Sequence, residues 1–318
     1  MSSIRFTLLA QLAALAAALP AQLLAAPFAY VPNEGSGTIS VIDTATDQVV
    51  AEMPAGTKPR GLAVDADGRW LYVSDQPNNR LQVLDLKARK ADKAVELGES
   101  PEGVSISPDG RWVVAAIEGK NEIAVTDTRK RKLASTIPVH GKNPEHAVFS
   151  PNGRLLFVSA EEGDAVDIID FASRKQVAQV AVGARPRGIG FLPDSSRAYV
   201  AAENASEVFV IDTTSHAIVA RIKAGLRANG IAVHPGGGQV YVSNGGDANV
   251  SVIDTASNQV VATIPVGQRP WNMALTPDGQ KLYVANGRSN TVTVIDTTSR
   301  RKLRDIPVGK LPWGVVIK

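Results

Sequence analysis

The 318 residues carry 34 Lys and Arg against 31 Asp and Glu, a formal net charge of +3, and contain no cysteine. That excludes disulfides, thiolate catalysis, Cys-ligated zinc and iron–sulfur clusters, and so mild a basic excess does not by itself point to nucleic acid. With 44% hydrophobic and 20% charged residues the composition is that of a folded protein with a sizeable core.

Residues 1–26 differ from the rest. Arg5 is followed by Phe6-Thr7-Leu8-Leu9-Ala10 and a run of Ala and Leu. This reads as a secretory signal peptide, with cleavage after Ala18 or Ala26. The alternative is an uncleaved helical anchor, but the run is short for a membrane span and Pro20 interrupts it. The expectation is export to a bacterial periplasm, with residues 27–318 as one domain without a transmembrane segment.

From there on the chain repeats itself. A block close to Val-Ile-Asp-Thr recurs with its Asp at 43, 85, 127, 170, 212, 254 and 296, at spacings of 42 or 43 residues. A period of about 40–45 residues built from short strands marks propeller blades. In residues 270–307, the stretch Met273-Ala274-Leu275 opens the repeat. The turn Thr276-Pro277-Asp278-Gly279 follows, then Lys281–Asn286, the turn Gly287–Asn290, and Thr291–Asp296; a last strand ends at Ile306-Pro307. Pro, Asp and Gly sit where turns need them, and β-branched residues fill the strands. The four strands are called a to d from the axis outward. The repeated Asp is expected to accept backbone N–H groups of its own c–d turn, since seven copies at one position argue for folding and against chemistry.

The termini complete the pattern. The chain begins at a b strand, Phe28-Ala29-Tyr30-Val31, and ends on an a strand, Trp313–Ile317. The predicted fold is all-β: a seven-bladed propeller of four-stranded antiparallel blades. Its first blade pairs N-terminal strands b–d with a C-terminal strand a, which removes open edges.

Function in such a ring sits where the d–a and b–c loops meet at one mouth of the channel. Six of the seven d–a loops carry Pro, with Ala228 in the other. The next residue varies: Arg60, Glu102, Glu145, Arg187, Asn229, Trp271, Trp313. The one after it is Gly in five repeats, but His146 and Asn272 in two. Positions that vary from blade to blade around one axis can build an asymmetric site. Cations gather there, among them Arg60, Arg185, Arg187 and Arg269. They suit an anionic ligand, or else a solvated rim paired with neighbouring Glu. Trp271 and Trp313 occupy equivalent places in adjacent blades, to stack on a planar group or to plug the channel. Blades 3 and 4 add Glu102, Glu118, Glu145, His146, Glu161 and Glu162, a set suited to acid–base work or a divalent cation, although a lone His is a weak metal signal and no metal site is assigned. His216 and His234 fall on the opposite face. No Ser-His-Asp spacing, phosphate loop or dinucleotide fingerprint is present.

The blocks Tyr72-Val73-Ser74-Asp75, Tyr199-Val200-Ala201-Ala202, Tyr241-Val242-Ser243-Asn244 and Tyr283-Val284-Ala285-Asn286, with the Val-Ile-Asp-Thr blocks and Pro265-Val266-Gly267, resemble the YVTN family of β-propeller repeats. The chain looks like the subgroup associated with pyrroloquinoline-quinone-dependent alcohol catabolism. That resemblance implies an accessory role beside a quinoprotein dehydrogenase, with the quinone itself a candidate ligand. More distantly the chain is similar to lactonase-like and cytochrome d1-type propellers, though without Cys it cannot carry a c-type haem.

Three functions are therefore set side by side. The first is an exported, non-catalytic binding protein. It would use Arg60, Arg187 and Arg269 for charge, Trp271 and Trp313 for stacking, and Glu102, Glu145 and His146 for orientation, with Asn229 also among the binding residues. The second is a lactonase-like hydrolase using Glu102, Glu145 and His146. The third is a single-stranded nucleic-acid binder.

Overall fold

The computed structural model describes residues 27–318; the signal-peptide expectation for residues 1–26 lies outside them. The described residues form seven four-stranded antiparallel sheets. Blade 1 pairs Val316–Ile317 with Phe28–Asn33, Thr38–Asp43 and Gln48–Pro54. Blades 2 to 7 follow in chain order, spanning Pro59–Glu96, Pro101–Pro138, Pro144–Ala181, Pro186–Lys223, Ala228–Pro265 and Pro270–Pro307. Among the described residues no helix is long and apolar enough to cross a membrane.

Strands b and c are buried nearly end to end, as in Leu155–Ala160 and Ala165–Asp170, because each blade is covered by a neighbour on both faces. Strand d is the outer edge and leaves apolar residues such as Val177 and Val219 about half exposed. Seven apolar clusters hold the ring, each drawing on two adjacent blades. A fully buried Val, Leu or Ile contributes roughly 1.5–3 kcal/mol, so the blade-to-blade contacts carry the stability.

The ring closes where the two ends of the chain meet. Ala29 pairs with Ile317 and Tyr30 with Val316. Phe28 and Lys318 exchange backbone hydrogen bonds of 2.8 and 3.0 Å. Ala29, Val31 and Ile42 of blade 1 pack with Tyr283, Val292 and Val294 of blade 7. A second latch crosses the same junction, where Lys281 Nζ reaches Asp47 at 2.9 Å.

The repeated Asp residues behave as their position predicts. Asp43 Oδ1 accepts the amide of Ala45 at 2.7 Å, Asp212 Oδ1 that of Ser215 at 2.8 Å, and Asp254 Oδ1 that of Ser257 at 2.8 Å.

Candidate ligand-binding site

The residues before strand a set the mouth. In six of the seven d–a connections a non-glycine residue adopts the left-handed conformation immediately before the strand: Ser100, Asn143, Arg185, Arg227, Arg269 and Leu311. That backbone costs roughly 1–2 kcal/mol per residue. A side chain from the b–c turn of the preceding blade offsets it in several cases, accepting the strained residue's amide. Asn121 Oδ1 accepts Asn143 N, Asp164 Oδ1 accepts Arg185 N and Asn290 Oδ1 accepts Leu311 N, each at 2.9 Å. Strand a then carries one extra residue against strand b, as between Pro59 and Leu62. Such a bulge re-aims the side chain that follows the Pro. The glycine after it is imposed by close approach: a Cβ on Gly61 would lie 2.4 Å from the Glu102 carbonyl oxygen, and one on Gly230 2.4 Å from that of Trp271.

Blade 4 replaces that glycine with His146, whose ring crosses the axis. It stacks on Trp313 of blade 1, with ring centroids 5.4 Å apart and planes at 20°. These blades are three steps apart, as far as a ring of seven allows, so the stack bridges the channel. Both imidazole nitrogens are buried and meet no partner. Burial, with Arg187 nearby, pushes the His146 pKa down to about 3, and the ring stays neutral.

A second set of positions joins the first. The residue immediately after strand b is Glu34, Gln76, Glu118, Glu161 and Glu203 in blades 1 to 5, then Gly245 and Gly287 in blades 6 and 7. The glutamates reach the mouth arginines. Arg60 pairs with Glu102 and, at 3.3 Å, with Glu34. Arg187 lies 2.8 Å from Glu145, 2.5 Å from Glu161 and 3.3 Å from Glu203. Arg269 pairs with Glu203 at 2.6 Å, and Arg185 with Glu161. In blades 6 and 7 the glycines leave room instead: Gly245 lies under the Arg269 guanidinium and Gly287 under the Trp271 ring.

These two sets wall a cavity of about 320 Å³, at the small end of ligand pockets. Its charged side is Glu34, Arg60, Glu118, Glu145, Glu161 and the Arg185–Arg187 pair; its neutral side is Asn229, Trp271, Asn272 and Trp313. Asn229 is 2% exposed and its Nδ2 has no hydrogen-bond partner. Glu102 is sealed behind Arg60, 0% exposed, and its Oε1 also accepts Gln76 Nε2 at 2.9 Å. Burial, and then the charge of Glu145, push its pKa up to about 8 against the pull of Arg60. Burial also raises Glu161, with Arg187 opposing and Glu145 adding to the shift.

Of the residues singled out in the sequence, Arg60, Glu118, Glu145, Glu161, Arg187, Asn229, Trp271 and Trp313 line one cavity. Glu102, His146 and Arg269 stand just behind its wall. Glu162 is exposed, as are Lys58, Lys142, Arg227 and Lys310 of the d–a loops, whereas Arg60, Arg185, Arg187 and Arg269 are paired with glutamates. The expected grouping of Glu with His146 takes a different form, because the histidine is committed to Trp313. Three glutamates come together instead: Glu118, Glu145 and Glu161 each offer an oxygen within 4.8 Å of the others. Glu34 and Glu203 were not singled out by the d–a comparison. The same comparison at the first residue after strand b finds both.

No curated protein matches this sequence. Among solved structures it is similar to Kuenenia stuttgartiensis hydrazine synthase, with 26% identity, a TM-score of 0.78, and coverage of 84% of this chain and 92% of that one. It is similar in fold to a functionally unknown protein from Desulfotomaculum acetoxidans, with 20% identity, a TM-score of 0.81, and coverage of 91% and 98%. The same holds for a putative 6-phosphogluconolactonase from Bacteroides uniformis, with 19% identity, a TM-score of 0.76, and coverage of 92% and 99%. The profile of the cytochrome D1 heme domain matches residues 28–147. That of the YNCE-like beta-propeller matches residues 105–318, well over half the length; with seven blades closed between its own ends, the chain belongs to the YNCE-like beta-propeller family.

Proposed function

We propose that this protein is an exported, non-catalytic binding propeller that holds a small ligand, part planar and part anionic, in the cavity at the d–a mouth. One observation carries this reading. The residues that break the repeat, and not those that keep it, converge on one cavity, where two indole rings face paired arginines and an unpartnered Asn229 amide. Trp271 and Trp313 offer flat apolar surface; Asn229 Nδ2 offers a donor whose burial costs free energy until an acceptor arrives. Pyrroloquinoline quinone has this planar, polycarboxylate character, and a periplasmic accessory role beside a quinoprotein dehydrogenase follows from it.

The hydrolase reading has less support. His146 keeps both nitrogens buried, and Glu102 is sealed from the cavity, so neither is placed to take a proton from water; Glu145 alone of the three lines the cavity, and Arg187 holds it at 2.8 Å. Binding of nucleic acid at this mouth meets more glutamates than arginines.

Tryptophan fluorescence tests the proposal, because Trp70 and Trp112 sit elsewhere, against Arg69 and Arg111. Titration with pyrroloquinoline quinone is expected to quench a Trp70→Phe/Trp112→Phe background. The quenching should be lost in Trp271→Phe/Trp313→Phe. No saturable quenching in the first background overturns the reading.

A further inference from the structure

We infer that Glu118, Glu145 and Glu161 form a binding site for a hard divalent cation of the calcium class. The inference rests on the reading of this cavity as the ligand site and adds how an anionic ligand would be received there.

The three residues come from two adjacent blades, with Glu145 on strand a of blade 4 and Glu118 and Glu161 at the matching b–c positions of blades 3 and 4. Their ligand atoms lie within 4.8 Å of one another. Oxygens on opposite sides of a calcium ion are about 4.6–5.2 Å apart, and those around magnesium about 4.0–4.2 Å. Separations up to that limit overlap what the oxygens around either ion span, so the three carboxylates can close on one hard cation. The donors are all carboxylate oxygens, the choice of hard cations over zinc or copper. Ser100 Oγ donates to Glu118 Oε2 at 2.7 Å and holds that carboxylate in place. Arg187 occupies one oxygen each of Glu145 and Glu161, and Arg185 the other oxygen of Glu161; each of these oxygens keeps a second lone pair, since a carboxylate has about four acceptor sites.

Charge points the same way. Four glutamates and three arginines line the cavity, one negative charge in excess, which repels a carboxylate ligand. Behind the wall Glu203 is matched by Arg269, and Glu102 is pushed towards its neutral form. A divalent cation turns the excess of one negative into one positive. A second observation is independent of the acids: Asn229, 2% exposed, lines the same cavity with its Nδ2 unpartnered. That donor calls for an oxygen acceptor in this cavity, as an anion bound to the metal would supply.

The test is calorimetric titration of calcium chloride alone into the chelator-treated full chain at pH 7. One saturable site per chain is expected, with thermal stabilisation by calcium that sodium at equal ionic strength does not give. Glu118→Gln, at a half-exposed turn position where folding is not at stake, should weaken the site at least tenfold; Ser100→Ala should weaken it less. Absence of binding by calcium, magnesium and manganese overturns the inference, as does undiminished binding in Glu118→Gln. Repeating the quinone titration with calcium and with chelator separates the two proposals. Quenching that is the same in both, with no calcium heat, removes the metal site and keeps the ligand. Calcium heat without quenching keeps the metal site and removes that ligand.

Discussion

The two faces of this ring use carboxylates in opposite ways. On the c–d turn face, Asp212 and Asp254 accept hydrogen bonds from the serine and backbone amides of their own turns, which hold both carboxyls below the usual carboxylate range. At the mouth, burial and mutual repulsion push Glu102 and Glu161 up. A charge stabilised by three neighbouring residues of chain can be copied seven times at little cost. A charge that depends on Arg60 or Arg187, brought from another blade, exists once and serves one place. The lesson is that repetition marks what folds the blade, and its failure marks what the ring can recognise.

The contrast can be broken at several points. The largest effect should come from removing residues 314–318, which deletes the inner strand of blade 1 and destroys both faces together. Unfolding is expected to lose its cooperativity or to shift down by at least about 15 °C, measured by calorimetry; a change confined to fraying would show that closure is not what supports the faces. Next, Glu203→Ala leaves Arg269 and Arg187 short of a buried partner and should cost about 3–5 kcal/mol in denaturant unfolding. A loss below 1 kcal/mol would mean that the mouth is as solvated as the turn face.

His146→Phe comes third and acts through pH. The folded His146 refuses a proton down to about pH 3, whereas the unfolded residue takes one near pH 6.5. Wild-type stability therefore falls as pH drops between those values, and the variant should be spared that fall. It is expected to gain about 3 kcal/mol relative to wild type at pH 4.5 and to match it at pH 7.5 in paired melts. Parallel pH profiles would show that the ring is solvated. The smallest effect belongs to the turn face: Asp254→Ala should lower Tm by only about 2–4 °C and leave ligand and cation titrations unchanged, because six other copies still brace the ring.

Much of this was legible before any coordinates. The period of the Asp residues, the glycine-bearing turns and the unmatched strands at Phe28 and Trp313 specify seven blades and their closure, since each signal acts over a few residues or sits at an end. The mouth was legible in part. Register placed Arg60, Asn229, Trp271 and Trp313 on one rim. It did not show that His146 would spend its ring on Trp313, because the direction of a side chain on a bulged strand depends on a local twist that sequence does not encode simply. Pairing of the arginines with neighbouring Glu was one of its two alternatives, but it missed Glu34 and Glu203 among the partners, because these arrive from the other set of loops.

The amide clamps between Asn121 and Asn143, Asp164 and Arg185, and Asn290 and Leu311 bear on how such rings are re-engineered. Each recognition residue is aimed by the blade before its own, so a blade transplanted whole would arrive without its guide. The natural module for exchange is offset by half a blade, cut in the middle of one sheet and rejoined in the middle of the next.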